Sequence, residues 1–351
     1  MERSELRGRD GDSLYLLALA RAEFLRPKEK LVLMDMLGSA QRVLQRPLAD
    51  LSDLLGRKFR TGTWSSDRLL EAARRDLERL DAGGMGVVFH GEAAYPAQLA
   101  EIHDPPLALF YRGTLPAFDG PMAAVVGTRR PTGAARRAAF DLGMDLSLAG
   151  VPVVSGLALG IDCAAHEGSL EGGAVPVAVL GNGIDRIGPG ASARIGRRLL
   201  EKGGVVFSEY PPGVPPLAYH FPARNRIIAG LCRSVTVVEA PARSGALITA
   251  EFALEENRDL YVHAAGLAGE AGAGTRALAD AGASVVTDGR EILRDWGVEP
   301  SRLPQTVWED RTVRSGRTGR EREPGAALAE LLRREIAGEC VVRYGRIHWR
   351  G

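Results

Sequence analysis

From Met122 onward the chain repeats one unit: a short run rich in Val and Ala, a glycine-bearing loop, then an amphipathic stretch. The runs cover 123–126, 151–155, 175–180, 205–208, 235–239, 260–263 and 284–287. Between them, 134–149, 163–172, 192–202, 226–231 and 249–256 carry helical periodicity. Strands apolar on both faces need cover on both, which parallel strands joined by helical crossovers provide. The pattern predicts an α/β fold built on a doubly wound, mostly parallel sheet. Such a sheet presents its binding groups in the loops that follow its strands.

Helical spacing governs residues 13–82, with breaks at Arg26-Pro27, Arg46-Pro47 and Gly62. Trp64-Ser65-Ser66-Asp67 reads as an N-cap ahead of a helix over 68–80. Residues 84–113 form a lead-in: a strand over 86–90, a helix after Tyr95-Pro96, and an entry strand over 107–111. Prolines and charges mark 296–325 as a linker, followed by a helix over 326–336 and a hairpin over 340–347. The expected division is a small all-α N-terminal domain (1–83), the sheet domain with its lead-in (84–295), the linker, and a short C-terminal element (326–351). Those last residues are too few to bury a core of their own.

Five glycine loops follow successive strands. They are Gly127-Thr128-Arg129-Arg130-Pro131-Thr132-Gly133, Ser155-Gly156-Leu157-Ala158, Gly181-Asn182-Gly183, Glu209-Tyr210-Pro211-Pro212-Gly213 and Ala240-Pro241-Ala242-Arg243-Ser244-Gly245. Ahead of the last strand lies Phe221 with an Arg224-Asn225-Arg226 cluster. Each loop alone says little, because βα turns favour glycine. Side by side they point free N–H groups and helix N-termini into one crevice, which suits an anion such as phosphate. Arg129 and Arg224 are assigned to the anion. Arg226 and Arg243 are balanced between that role and ion pairs with Glu209, Glu239 or Asp162. Tyr210, His220 and Phe221 offer faces for stacking bases.

Net charge is +1, so an anion-binding surface has to be a local patch. Cations are nearly all Arg, the lysines being Lys28, Lys30, Lys58 and Lys202. Arg binds phosphate bidentately and stacks on bases, which Lys does not. No loop completes a nucleotide fingerprint: 127–133 lacks the Lys-Ser/Thr of a P-loop, Arg186 replaces the third glycine after Gly181 and Gly183, and Gly272-Ala273-Gly274 reads as a plain turn. Ser155, Asp162, His166, Glu209 and Ser244 are placed where they could converge at the crevice, but no GxSxG elbow is present. Asp162 and His166 read more simply as a cap and a helix-face pair. The three cysteines show neither CxxC nor zinc spacing, and Cys163 and Cys232 read as core thiols. No apolar signal core and no membrane-length run are present, so a soluble, reduced, cytoplasmic protein without metal or cofactor is expected.

Together the stretches VVGTRRPTG, VVSGLALGIDCAAHEGSL, AVLGNGID, FSEYPPG, FPARNRIIAGL and VVEAPARSGALITAEFALEENRDLYV resemble, in this order, the DNA processing protein A (DprA/Smf) family over about 122–288. The resemblance implies an extended Rossmann-like domain that binds single-stranded DNA without catalysis. It also implies a homodimer that hands incoming DNA to the RecA recombinase in natural transformation. On matching positions it points to Arg129, Ser155, Gly156, Arg224 and Asn225. The other loop residues Gly127, Thr128, Gly181, Asn182, Gly183, Phe221, Arg226, Arg243, Ser244 and Gly245 join them as expected DNA contacts. A SAM-like helical domain is common at the family's N-terminus. Two departures stand out. The family's Tyr-Pro-basic-x-Asn pattern is Ile187-Gly188-Pro189-Gly190-Ala191-Ser192 here, leaving Arg186 or Arg194 to substitute, and its Gly-Thr-Asn is Gly274-Thr275-Arg276. A C-terminal winged helix needs more residues than follow the linker, so it is expected to be missing or vestigial.

The alternative is an enzyme. Related Rossmann-like families hydrolyse nucleoside monophosphates with a Gly-Gly-x-Gly-Thr-x-x-Glu loop, and Glu251 falls at that spacing after Ser244-Gly245. Most of the glycines and the threonine of that loop are replaced here. A third reading, a scaffold with the helical segment and tail as docking sites, stands mainly as an addition to the DNA-binding one.

Overall fold

Residues 10–59, 64–116, 118–298, 340–343 and 346–349 are described by the computed structural model. Five helices come first: α1 (Asp10–Ala20), α2 (Pro27–Leu37), α3 (Ala40–Leu44), α4 (Leu48–Leu54) and α5 (Ser66–Ala82). The expected cap is present, with the Ser65 side chain accepting from Arg68 N at the start of α5. The lead-in supplies β1 (Met85–Phe89), α6 (Ala97–Ala100) and β2 (Ala108–Gly113). Alternation then gives β3 (Ala123–Val126), α7 (Gly133–Leu148), β4 (Val153–Ser155), α8 (Ile161–Gly172), β5 (Val177–Leu180), α9 (Ala191–Glu201) and β6 (Val205–Ser208). The second half holds α10 (His220–Gly230), β7 (Ser234–Val237), α11 (Gly245–Glu255), β8 (Asp259–His263), α12 (Ala273–Asp280), β9 (Ser284–Val286) and α13 (Gly289–Asp295).

Among the described residues these strands form one nine-stranded sheet in the order β1-β2-β6-β5-β4-β3-β7-β8-β9. β3 to β9 pair in parallel, while β2 runs antiparallel to both β1 and β6. The fold is therefore a Rossmann-like, mostly parallel sheet, and the lead-in is part of it. Strands 151–155 and 175–180 begin two residues later than the apolar runs suggest. Pro152 and Pro176 have no N–H to give a ladder, so pairing starts after them.

Side chains alternate between the two layers. Ala124, Val126, Val177, Val179, Phe207, Val235 and Val237 face a core closed by α6, α10 and α11. Ala123 and Val125 face α7, α8 and α13. On that second side, Phe110, Ala178, Leu180 and Val206 pack with Leu17, Ala18, Ala73 and Leu80 of α1 and α5 and with Leu199 of α9. The N-terminal helices thus cover the β1-β2-β6-β5 half of a sheet face, and they keep a smaller core of their own around Leu19, Leu33, Val43 and Leu51. Contacts divide the chain into Met1–Arg302 and Leu303–Gly351. In the latter, β10 (Cys340–Arg343) and β11 (Arg346–Trp349) pair antiparallel, where a hairpin is expected. Nearly all of the expected linker and the helix over 326–336 lie outside the described residues. No helix among the described residues is long and apolar enough to cross a membrane.

One sequence boundary is corrected. The helix expected over 226–231 begins at His220, so Arg224, Asn225 and Arg226 lie on it and not in the loop before it. Pro222 falls in the first turn of α10, where a backbone N–H has no intrahelical partner, so it does not break the helix.

α7 and α8 approach closely through glycines. A Cβ at Gly168 would meet the Phe140 backbone, with its carbonyl carbon at 2.8 Å and Met144 N at 3.0 Å. Alanine normally favours a helix over glycine by about 1 kcal/mol. Here neither backbone can yield, so Gly168→Ala is expected to destabilise by about 1–3 kcal/mol net, read as a lower urea midpoint. Gly133→Ala, with open space at its Cβ, should leave the midpoint in place.

Candidate functional site

β3 and β7 are neighbours, yet their chains leave toward opposite faces: α7 packs on the Ala123 and Val125 side, α11 on the Ala124 and Val126 side. At this reversal of strand order the sheet opens a crevice of about 780 Å³. Its walls are the loops after β3, β4 and β7 and the start of α10, including Gly127, Arg129, Phe221, Arg224, Arg243 and Ser244.

Arg224 forms the floor. Its Nη1 donates to Gly156 O at 3.0 Å and to Val179 O, and its Nε donates to Asn225 Oδ1 at 3.2 Å. Only 6% of the residue is exposed, and Gly156 has no room for a Cβ because the guanidinium lies against it. Burial pushes the Arg224 pKa down to about 10, with nearby Asp162 pulling it up and Arg129 pushing it further down. The group stays cationic at neutral pH. Asp162 is buried too and accepts from Gly156 N at 3.1 Å and Ala158 N at 3.4 Å. Burial raises its pKa against the pull of Arg224 and those amides.

Asn225 continues the wall, its Nδ2 donating to Gly245 O at 3.1 Å and so tying α10 to the start of α11. Arg226 points elsewhere. Its guanidinium takes Glu209 in a fork, Nη1 to Oε2 at 2.9 Å and Nη2 to Oε1 at 2.7 Å, while Nε donates to Asp104 O at 2.8 Å. Burial opposes its charge, but Glu209 and Asp104 more than compensate and raise its pKa. Arg226 is thus bound in an ion pair on the far side of α10. Lys30 of α2 is buried nearby, donating to Ala20 O at 2.6 Å. Burial brings its pKa down to about 8, partly offset by Glu209 and Glu23.

The rim is cationic. Arg129, Arg130 and Arg243 are exposed, and none has an ion-pair partner among the described residues. Arg129 sits over the Phe221 ring, Cζ to centroid 5.7 Å. Glu239, beside the rim, is buried and fully engaged: its carboxylate accepts from Thr132 N and Thr132 Oγ1, both at 2.8 Å. Its carbonyl accepts from Thr128 N at 2.7 Å. Thr132 in turn caps α7 and Ser244 caps α11. Gly127 has no space for a side chain, a Cβ there lying 2.9 Å from Glu239 O.

The expected row of five loops is therefore divided. Those after β3, β4 and β7 wall the crevice together with Gly245 and Asn225. Gly181, Asn182 and Gly183 lie behind it. Gly181 packs on Phe221, Asn182 Nδ2 closes its own turn onto Gly183 O at 3.0 Å and Arg186 O at 2.8 Å, and Gly183 N donates to Val214 O at 2.8 Å. Ser155 is fully buried, with its hydroxyl donating to Val125 O at 2.7 Å. Of the expected stacking faces, Tyr210 and His220 stack on each other at 3.8 Å, while Phe221 remains half-buried beneath Arg129. Sequence reasoning missed Arg130, exposed beside Arg129, and Tyr219, exposed beside the crevice lining residue Ala218. Both adjoin residues already singled out, so adjacency was the available signal.

Among the described residues, Ser155 and His166 are sealed from the crevice by burial, while Ser244 lines it. His166 is fully buried, and neither ring nitrogen has a hydrogen-bond partner. Glu251 is exposed on α11 and does not line the crevice. Gly274 and Thr275 start α12 against Ala240, with Thr275 Oγ1 accepting from Ala240 N at 2.7 Å. No cluster of metal-binding side chains occurs among the described residues.

Burial lowers the His166 pKa to about 4, with the Ser155 backbone pulling the other way. The unfolded chain takes up a proton near its ordinary value of 6.5, while the folded chain refuses it until about 4. This contribution to stability is therefore complete above pH 6.5 and lost as pH falls toward 4, amounting to about 3 kcal/mol. Chemical denaturation at pH 7 and pH 4.5 should show a steeper loss for the native chain than for His166→Leu.

The family model for DNA recombination-mediator protein A matches residues 86–297. The DNA processing protein DprA of Streptococcus pneumoniae is 44% identical over 204 residues, covering 58% of this chain and 71% of that protein. Protein Smf of Escherichia coli is 44% identical over 201 residues, covering 57% of this chain and 54%, about half, of its own length. Among solved structures, the S. pneumoniae DprA chain superposes with a TM-score of 0.65 at 34% identity, over 80% of this chain and 97% of that one. DNA processing protein A from Helicobacter pylori, described for its single-stranded DNA binding mode, gives a TM-score of 0.54 at 26% identity, over 60% and 95%.

Proposed function

The chain belongs to the DNA recombination-mediator protein A family, and we propose that it binds single-stranded DNA in the crevice at the β3/β7 reversal and delivers it to a RecA-type recombinase. The observation that carries this reading is the rim: Arg129, Arg130 and Arg243 stand exposed without an ion-pair partner among the described residues, while Glu239, Asp162 and Glu209 are engaged elsewhere. Phosphates lie against these cations and the free amides of the helix starts, with Arg224 adding charge from the floor. Phe221 under Arg129 offers an apolar surface to a sugar or base. Residues 84–295 do this work, and the N-terminal helices serve as their support.

The role is one of binding, not bond-breaking. A Ser–His pair is absent from the crevice, because the Ser155 hydroxyl is turned onto Val125 O and His166 is sealed in the core. The carboxylate required by a nucleotide-hydrolysing alternative, Glu251, stands outside the lining. In this reading the protein acts in the cytoplasm as a homodimer, in natural transformation or general recombination.

Fluorescence polarisation with labelled oligo-dT tests the site. Arg129→Ala and Arg243→Ala should each weaken binding, and each should flatten the plot of log K against log salt by about 0.7 for the phosphate contact removed. Duplex DNA of equal length should bind less tightly. Unchanged affinity and slope in the Arg129→Glu, Arg243→Glu double variant, with its thermal midpoint intact, would overturn the assignment. A RecA filament-formation assay run on the same DNA tests delivery.

A further inference from the structure

Just before α10 the chain runs Val214-Pro215-Pro216-Leu217-Ala218-Tyr219, and residues 215–219 are all exposed. Tyr219 is 64% exposed and Leu217 37%, in a segment that is held at both ends. Gly183 N donates to Val214 O at 2.8 Å, and Gly213 N donates to Asp185 Oδ1 at 2.8 Å. Arg79 of α5 reaches Pro212 O at 3.3 Å, and His220 N donates to Leu217 O at 3.0 Å. Four prolines, Pro211, Pro212, Pro215 and Pro216, further restrict the backbone. An aromatic ring displayed on so constrained a segment is held out by structure.

The neighbouring rings explain how Tyr219 is held. His220 lies nearly parallel to Tyr210, 3.8 Å between centroids and 23° between planes. Tyr219 meets His220 at 4.6 Å and 80°. The edge-to-face contact steadies Tyr219 and leaves ring surface open to solvent, while Tyr210 and His220 occupy one another. Ala218, adjacent to Tyr219, lines the crevice, and Phe221, two residues on, carries Arg129 above it. The shelf is thus continuous with the cationic rim.

We propose that Tyr219 is a base-stacking residue: single-stranded DNA whose phosphates sit on Arg129 and Arg243 lays a nucleobase on the Tyr219 ring, with Leu217 as the apolar margin. This rests on the single-stranded DNA reading above. Every base has a π-face, so the contact is sequence-tolerant, and paired bases within a duplex cannot use it. Tyr219 contributes through its ring and not its hydroxyl.

The test compares oligo-dT with an abasic oligonucleotide of the same length and backbone charge, by fluorescence polarisation on the full chain. Tyr219→Ala should weaken oligo-dT binding by roughly 5- to 100-fold and leave the weaker abasic binding unchanged. Tyr219→Phe should bind both as the native chain does. Thermal midpoints equal to the native one confirm that the exposed substitutions leave the fold intact. Oligo-dT affinity unchanged in Tyr219→Ala overturns the stacking role while leaving the rim assignment standing, and so does an equal loss on both oligonucleotides. An effect confined to RecA filament formation would mark the shelf as a protein contact, which also overturns it. A native chain that binds neither oligonucleotide overturns the DNA reading itself and this inference with it.

Discussion

Strands β3 and β7 send their chains to opposite faces of the sheet, and Glu239 keeps the two exits together. Its carbonyl takes the Thr128 amide, and its carboxylate takes the Thr132 amide and hydroxyl. The loop between those two residues is fixed at both ends on the neighbouring strand's exit, so Arg129 and Arg130 have a defined base from which to project. A buried carboxylate with its acceptors satisfied by neutral donors is tolerable in a core. It also leaves the rim arginines uncompensated, because Glu239 makes no ion pair with them.

The same division of charge runs through the site. Arg226 takes Glu209 and Asp104 into a buried network behind α10, and Asp162 is turned onto backbone amides below the crevice. Arg224 is held by carbonyl oxygens, which orient a guanidinium without neutralising it. A chain of net charge +1 thereby gathers a local positive surface by sequestering acidic groups, with no excess of basic ones. The N-terminal helices meet the Pro-rich segment through Arg79, which donates to Pro212 O, so the helical segment bears on the site from behind.

Much of this was legible in the sequence because it follows from periodicity. The parallel strands, their order of appearance and the glycine loops all register in the alternation of Val-rich runs with amphipathic stretches. The place of the crevice followed as well, since three of the glycine loops at the strand ends line it. Two things were hidden. Helix α10 starts earlier than its apolar pattern, because Pro222 in a first turn looks the same in sequence as a helix breaker. The direction of each side chain was also out of reach: Arg224 and Arg226 have identical chemistry, and only the fold separates floor from ion pair. Ser155 and Asn182 illustrate the same limit, as polar residues in glycine loops whose bonds close on their own backbone surroundings.

Helix α10 directs three consecutive side chains three ways. Arg224 reaches the ends of β4 and β5, Asn225 the start of α11, and Arg226 the loop after β6 together with the lead-in. Successive residues on a helix are turned by about 100°. One residue inserted or deleted in the first turn would rotate all three assignments at once, placing a charge where a carbonyl pocket or a carboxylate fork is not. The composition of this turn can drift at Ala223, half-exposed between the anchors, but its length cannot. The length of the segment from Phe221 to Arg226 therefore sets where all three contacts fall, whatever residue stands at 223.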